Sequence, residues 1–339
     1  MPTSVRRLGP SQIAAATTGL AVVFAAAMGT SAQDKSTRIS EEGITNIEGP
    51  AVDADGNLYF VQRNGLKDGT IRRLKPGAKQ SESFAPLSDG SLGNGIRFDK
   101  DGRMYIADFF KHNVLVFEKG QTKANVYFTT NGAKKGAPTF NQPNDLAIGN
   151  DGTIYASDPL RKKGLPVSGQ IWRITREANG KGKGQPMTSD RKDGKMGATN
   201  GIDLSPDGKT LYVGESTTGQ IWAYRIEGNN LVSLTGPTTP MITLSGGEVD
   251  GMRTDASGRL YVTQNGAGKI AVITPMSKDA PKIIPTLKGG PSNLTFGGPD
   301  GKTVFVTQTE GGFIESFTVD TPGREPCPQQ KSATVCSTP

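Results

Sequence analysis

The sequence predicts an all-β chain folded as a six-bladed β-propeller. Three observations lead to this prediction: a hairpin motif that occurs six times, a further strand pattern after the hairpins, and abundant turn-forming residues. The 339 residues include 45 Gly and 22 Pro, and only 34% are hydrophobic. This composition is typical of many short strands joined by tight turns, because Gly accepts positive φ and Pro presets turn geometry.

The repeated motif is an alternating run, a tight turn that ends in Gly, and an apolar run that contains an aromatic residue. The first copy spans Asp53 to Phe60, and the fifth spans Asp255 to Val262. A third strand pattern follows, as in Gln170 to Ile174. A repeat of about 40–50 residues with several short strands is typical of propeller blades. The six turn glycines stand 43 to 56 residues apart: Gly56, Gly102, Gly152, Gly208, Gly258 and Gly301.

The propeller is predicted to occupy residues 33–320. The segment from Ser36 to Ile47 precedes the first copy, and we expect it to supply an outer strand that closes the ring with the last blade. Three insertions between motifs are predicted to be loops: Lys134 to Phe140, Arg161 to Ser168, and Asn179 to Gly197.

The two ends of the chain predict an exported protein. Residues 1–32 have the features of a signal peptide, with Arg6 and Arg7, an apolar Ala-rich stretch, and small residues before Gln33. The expected location is periplasmic or secreted, without stable membrane insertion after cleavage; the general secretory and twin-arginine routes both stay open. The tail, residues 321–339, carries Cys327 and Cys336, which are expected to form a small disulfide loop or to remain free thiols.

The formal net charge is +7, or about +5 without Arg6 and Arg7. No basic face interleaved with stacking aromatics is evident, so a nucleic-acid partner is not expected. The expected partner is a small-molecule substrate, and the protein is expected to be a monomer or a small homo-oligomer.

A polar residue stands eight positions before each turn glycine. Equivalent positions in a closed propeller lie on one ring around the axis, so these oxygen atoms are predicted to converge near one mouth of the channel. Asx-turns before strands are the alternative explanation for the Asn and Asp members, although Glu48 fits that explanation poorly. The predicted ring consists of Glu48, Asn94, Asn144, Asn200, Asp250 and Asn293.

Oxygen ligands of this kind favour a hard divalent cation, with Ca²⁺ first and Mg²⁺ or Mn²⁺ as alternatives. Two carboxylates, those of Glu48 and Asp250, would balance the charge of such an ion. In several copies the ring residue is followed by Gly, which leaves space beside the polar group.

These residues resemble the SMP-30/gluconolactonase/LRE-like superfamily of six-bladed propellers, which includes regucalcin-type gluconolactonases, sugar lactonases and squid diisopropylfluorophosphatase. The resemblance covers about Asn46 to Phe317. The motifs that carry it are Glu48-Gly49-Pro50, Pro143-Asn144-Asp145, Asn200-Gly201 and Asp250-Gly251.

The resemblance implies that Glu48, Asn144, Asn200 and Asp250 bind the metal, and it adds Zn²⁺ to the candidate ions. It implies substrate-binding positions at Asn144, Asn94 and Gln142, and a catalytic base or nucleophile at Asp250. Sugar lactonases of this kind carry Arg where this chain has Gln142, which puts gluconolactone itself in doubt as the substrate.

The expected activity is metal-dependent lactone hydrolysis, with Asp250 activating water. Phosphotriester or fluorophosphate hydrolysis is the second hypothesis, and a non-enzymatic binding propeller is the third. The single histidine, His112, lies in a turn that we expect to face away from the ring, so a histidine-based mechanism is not expected.

Overall fold

A computed structural model of the chain describes residues 35–65, 68–87, 90–161, 167–192 and 194–325. The predicted signal peptide, Cys327 and Cys336 lie outside these residues. Among the residues described, no helix has the length and hydropathy that would let it cross a membrane.

Six sheets confirm the predicted six blades, and all their strand pairs are antiparallel except one short parallel pair in blade 4. The first three blades each contain four strands in sequential order, numbered outward from the axis. Blade 1 contains β2 (Ile47–Val52), β3 (Leu58–Arg63), β4 (Gly69–Leu74) and β5 (Glu82–Leu87). Blade 2 contains β6 (Gly93–Phe98), β7 (Met104–Asp108), β8 (Asn113–Phe117) and β9 (Asn125–Thr129). Blade 3 contains β10 (Leu146–Ile148), β11 (Ile154–Leu160), β12 (Ser168–Arg176) and β13 (Gly182–Pro186).

The other three blades follow the same plan with additions at their outer edges. Blade 4 contains β15 (Thr199–Leu204), β16 (Thr210–Glu215), β17 (Gln220–Glu227) and β18 (Asn230–Ser233), with the short strands β14 (Thr188–Ser189) and β19 (Ile242–Thr243). Blade 5 contains β20 (Glu248–Thr254), β21 (Leu260–Asn265), β22 (Lys269–Ile273) and β23 (Lys282–Pro285). Blade 6 contains β24 (Pro291–Gly297), β25 (Thr303–Gln308), β26 (Phe313–Thr318) and β1 (Thr37–Arg38).

The amino-terminal segment closes the ring, as predicted. Strand β1 pairs antiparallel with β26, and the backbone NH of Ile39 continues the pairing by donating to the carbonyl of Ile314 at 2.9 Å. The first and last parts of the propeller are therefore held in one sheet, which leaves no gap between blades 6 and 1.

The repeated turns join the first and second strands of every blade. In blade 1 the backbone NH of Gly56 donates to the carbonyl of Asp53 at 3.1 Å, and Gly56 has a φ of 83°. A left-handed residue in the third place of a three-residue hairpin loop strongly favours Gly, because a Cβ is disfavoured at this φ. The same bond and a positive φ recur at the other five turn glycines.

One of the predicted loops is wrong. The stretch from Asn179 to Gly197 contains β13, the outer strand of blade 3, and β14, which adds to blade 4. Its Gly- and Lys-rich composition does not predict a strand, because an outermost strand needs little apolar surface. At Gly182 and Gly184 the backbone itself packs against Phe128. The stretch from Lys134 to Phe140 is a loop, as predicted.

The hydrophobic core lies between blades rather than in the channel. One cluster joins Tyr105 and Val116 of blade 2 to Ile154 and Trp172 of blade 3, and comparable clusters lie between the other blades. The innermost strands contact one another in a closed cycle, so the polar residues they carry are brought to the axis.

Candidate metal centre and active site

The six predicted ring residues lie at equivalent places on the innermost strands. In five blades the pairing of the first two strands shifts register beside the ring residue, as between Glu48 and Ala51 of blade 1. A β-bulge of this kind re-aims a side chain out of the regular alternation. In blade 3 the ring residue Asn144 precedes β10, and its backbone NH donates to the carbonyl of Ser157 at 2.8 Å. These local irregularities turn side chains toward the channel.

The glycine that follows a ring residue lets neighbouring inner strands approach each other closely. A Cβ on Gly49 would lie 1.9 Å from the carbonyl oxygen of Asn94, and a Cβ on Gly201 would lie 2.2 Å from that of Asp250. Each of these glycines thus lies against the ring residue of the next blade. Neighbouring inner strands can approach this closely because no side chain separates them.

The two carboxylates of the ring lie close enough to affect each other. Burial and, after it, the negative charge of Asp250 raise the pKa of Glu48 from its ordinary 4.5 to about 8, against the opposing charge of Arg63. Burial also raises the pKa of Asp250, to about 6, although donors from Asn265 and Asn200 oppose the shift. Two acids that disfavour each other's ionisation form a natural site for a cation.

Further oxygen atoms at the ring have no hydrogen-bond donor among the described residues. The side-chain oxygens of Asn94 and Asn144 are buried and unpaired there. Unpaired buried acceptors are unfavourable in a folded protein unless something absent from the coordinates satisfies them. The described residues contain no group of three or more His, Cys, Asp or Glu that could hold a metal. The set at the ring therefore combines two carboxylates with amide oxygens, which fits a hard divalent cation.

Asn293 has a different environment from the other ring members. Its side-chain oxygen accepts the backbone NH of Leu294 at 2.9 Å, and its Nδ2 lies 3.4 Å from Oδ2 of Asp145. Its amide is therefore engaged by neighbours, and the structure leaves Glu48, Asp250 and three asparagines as candidate ligands.

A second polar layer lies one step deeper along the channel, three residues after several ring positions. Arg97 and Arg253 both contact the buried carboxylate of Asp145, at 3.1 and 3.2 Å. Asp203 pairs with Arg324, which comes from the segment after the last strand. The backbone NH of Arg324 donates to the carbonyl of Thr254 at 3.0 Å, at the end of β20 farthest from the ring. The described start of the predicted tail therefore packs across the channel's far end.

The pKa of Asp203 shows how strongly this layer is paired. Burial pushes the pKa upward, but the positive charges of Arg324, Arg253 and Arg97 outweigh it and hold the pKa below its usual range. We assign this layer to structure, because its charges are compensated by one another.

The predicted substrate-binding positions differ in what surrounds them. Gln142 lies next to blade 3: its backbone NH donates to Oδ1 of Asp158 at 2.6 Å, and its side-chain oxygen accepts the backbone NH of Arg161 at 3.2 Å. Asn94 donates its Nδ2 to the carbonyl of Asn144 at 2.9 Å, which leaves its oxygen atom available. The assignment of these positions to substrate stays a prediction.

The expected orientation of the His112 turn is wrong. The backbone NH of Phe109 donates to the carbonyl of Leu92 at 2.9 Å, and Asp108 pairs with Gly93, the neighbour of ring residue Asn94. The turn therefore lies on the same face as the ring. Strand direction explains this, because the second strand of each blade runs back toward the ring. The turn joins the second and third strands, so it starts farther from the axis than the ring itself.

Sequence reasoning missed Arg63, Arg161 and Asn265, which lie at this mouth. Asn265 donates its Nδ2 to Oδ2 of Asp250 at 3.1 Å, and the charge of Arg161 lowers the pKa of Asp250. A signal existed: Arg63, Glu215, Asn265 and Gln308 all stand seven residues after a turn glycine, where the second strand ends.

Comparison with known proteins agrees with this architecture. The sequence model of the SMP-30/Gluconolactonase/LRE-like region matches residues 47–310. A gluconolactonase of Zymomonas mobilis is 26% identical over 289 residues, which cover 77% of this chain and 75% of that protein. A solved gluconolactonase from Xanthomonas campestris superposes with a TM-score of 0.65 at 21% identity, covering 84% of this chain and 89% of that one. A calcium-binding regucalcin from Agrobacterium tumefaciens superposes with a TM-score of 0.63 at 19% identity, covering 85% and 95% of the two chains.

Proposed function

The chain belongs to the SMP-30/gluconolactonase/LRE-like family, and from this premise we propose that it is a metal-dependent hydrolase that opens a lactone ring. The observation that carries the proposal is the pair of carboxylates, buried Glu48 and partly buried Asp250, at one mouth of the channel beside amide oxygens that have no donor among the described residues. Lactonases and gluconolactonases among the relatives support the reaction class.

Glu48, Asn144, Asn200 and Asp250 would hold the cation, with Ca²⁺ as the first candidate. The calcium-binding regucalcin of similar fold supports this choice, as does the hard oxygen character of the ligands. When bound, the cation would polarise the lactone carbonyl and stabilise the negative charge that develops on its oxygen.

Asp250 would act as the general base. With a pKa of about 6 its carboxylate is mostly ionised at pH 7, and a nearby cation favours the ionised form further. Asn265 and Asn200 donate hydrogen bonds to this carboxylate and hold its orientation. Its remaining acceptor capacity would receive the proton of a water molecule that attacks the carbonyl carbon.

We also propose that the protein acts outside the cytoplasm, as a periplasmic or secreted enzyme. Residues 1–32 support this proposal through the sequence features of a signal peptide.

The test is the Asp250→Asn variant, assayed on a panel of lactones with calcium and with a chelator. Loss of the base is expected to reduce kcat by about 10²–10⁴-fold, while the melting temperature with chelator stays near or above that of the unaltered protein. Chelation is expected to abolish the activity of the unaltered protein. Asp279→Asn is the matched control, because Asp279 is exposed and accepts a local hydrogen bond from Ser277.

Unchanged lactone hydrolysis by Asp250→Asn would overturn the assignment of the base. A metal-replete protein that cleaves paraoxon-like esters but no lactone would favour phosphotriester hydrolysis. A protein that cleaves neither would favour the non-enzymatic binding propeller.

A further inference from the structure

Two arginines at the mouth of the channel, Arg63 and Arg161, donate no hydrogen bond to a carboxylate among the residues that the structure describes. Arg63 ends strand β3, and its Nε donates to the carbonyl of Gly93 at 3.2 Å. Its guanidinium lies over the ring of Phe109, 5.6 Å from the ring centre. Since a guanidinium has five N–H donors, this arrangement fixes the group and leaves donors for a ligand.

Arg161 follows strand β11 on the same face. Its guanidinium donates to the hydroxyl of Ser216, a neutral partner just after β16. Its charge acts on Asp250, just as that of Arg63 acts on Glu48. Both arginines therefore lie beside the carboxylates that would hold the cation.

Three other arginines of the described chain contact carboxylates instead. Arg97 and Arg253 contact Asp145, and Arg191 contacts Glu215. Each of these three guanidiniums has a carboxylate of the protein as its partner. Arg63 and Arg161 differ from these arginines because their hydrogen-bond partners are a carbonyl and a hydroxyl. Their charge therefore remains available to a ligand.

The charge balance at the mouth gives the sign of that ligand. A divalent cation would neutralise Glu48 and Asp250, and the two arginines would remain as an excess. Glu248 is the further acid that acts on Asp250. Glu248 and Arg161 are both exposed, so water screens both charges, whereas Arg63 is partly buried. Among the groups that act on the two carboxylates, Asp145 is already paired with Arg97 and Arg253, so the charge of Arg63 is left in excess once the cation is bound.

We propose that the substrate carries an anionic group, a carboxylate or a phosphate, which Arg63 binds and Arg161 helps to attract. The planar guanidinium matches these groups with two parallel hydrogen bonds, which an uncharged sugar hydroxyl cannot accept as strongly. This inference rests on the proposed lactonase function and narrows it to lactones of acidic sugars or of phosphorylated sugars.

The experiment compares three lactones of similar size: one neutral, one with an added carboxylate and one with a phosphate. The calcium-loaded protein is expected to show a KM at least about tenfold lower for one of the anionic lactones than for the neutral lactone. The lactone with the lower KM shows whether the site binds a carboxylate or a phosphate. Arg63→Met is expected to raise that KM by about 10- to 100-fold, the loss of charge-assisted hydrogen bonds. The KM for the neutral lactone should change by less than about threefold.

Arg63→Lys tests geometry against charge, because it keeps the charge and loses the planar pair of donors; it should recover part of the loss. Arg225→Met is the matched control: it removes the same charge from an exposed side chain near the opposite end of blade 4. It should leave the KM of all three lactones unchanged. Equal KM values for neutral and anionic lactones, or an equal effect of Arg63→Met on both, would overturn the inference.

A second measurement separates this inference from the proposed function. Calorimetry can follow the binding of a sugar dicarboxylate and of a sugar phosphate to the calcium-loaded protein without any turnover. Binding that weakens at least about tenfold in Arg63→Met supports the anion site even if no lactone is hydrolysed. Absence of binding, or binding that Arg63→Met does not weaken, refutes the anion site even if lactones are hydrolysed.

Discussion

Replacing Glu48 by Gln should make the metal-free protein more stable and the metal-bound protein less stable. In the metal-free protein the carboxyl of Glu48 must either hold a proton or ionise in a buried place beside Asp250, and above pH 4.5 both are unfavourable relative to the unfolded chain. Gln has nearly the same shape and no charge, so it removes this cost. In the metal-bound protein the same change removes a ligand.

The magnitude follows from the pKa of Glu48, which is about 8 in the folded chain against an ordinary 4.5. Because the folded pKa is the higher one, the folded state binds the proton more tightly. The destabilisation is absent below pH 4.5, grows as the pH rises, and is complete above pH 8. Linkage gives about 1 kcal/mol at pH 5 and about 3 kcal/mol at pH 7.

The assay is urea unfolding followed by the fluorescence of Trp172 and Trp222, which are both buried between blades. With chelator, the Glu48→Gln variant should have a higher free energy of unfolding than the unaltered protein. The difference should be up to about 1 kcal/mol at pH 5 and up to about 3 kcal/mol at pH 7. With calcium at about 100 times its dissociation constant, the unaltered protein should gain about 2.7 kcal/mol and the variant much less.

Glu227→Gln is the control, because Glu227 is exposed and pairs with Arg225 at the surface. It should show neither the widening with pH nor the loss of the calcium effect. A Glu48→Gln variant that is no more stable than the unaltered protein at pH 7 with chelator would refute the reasoning, as would a difference that stays constant with pH.

Two further changes test the architecture around the site. Arg324→Met should lower the free energy of unfolding by about 3–5 kcal/mol in urea melts, because it leaves Asp203 buried without its nearest partner. The surface change Arg225→Met should lower it by less than about 1 kcal/mol. Equal effects of the two changes would contradict the buried pairing. Gly251→Ala should cost about 1–3 kcal/mol and weaken calcium binding measured by calorimetry, because the new Cβ would lie 2.2 Å from the side-chain oxygen of Asn293; unaltered calcium affinity would contradict a tightly closed ring.

The prediction of blades succeeded because its signal is local and repeated. Each hairpin loop needs a residue with positive φ at its third position, so Gly56 and its counterparts recur in the sequence. The strand β13 escaped notice because nothing local requires an outer strand to be apolar. Its identity is decided by pairing with β12, which is a contact across the blade.

The position of His112 and the unpaired charge of Arg63 needed more than the repeat. Both depend on where the second strand of a blade ends relative to the first strand of the next. Arg63 reaches the carbonyl of Gly93 and the ring of Phe109, thirty or more positions along the chain. Such neighbours arise from the packing of blades 1 and 2.

The sequence by itself determined the number of blades, the closing strand and the ring of polar positions, because a periodic motif fixes equivalent places around an axis. Only the tertiary structure decided which of these side chains remain available. Asn293 is engaged by Leu294 and Asp145, whereas Glu48 and Asp250 disfavour each other's ionisation and the oxygens of Asn94 and Asn144 have no donor among the described residues. The physical reason is that the burial and the electrostatic environment of a ring side chain depend on neighbours from all six blades. A single repeat of the sequence does not contain those neighbours.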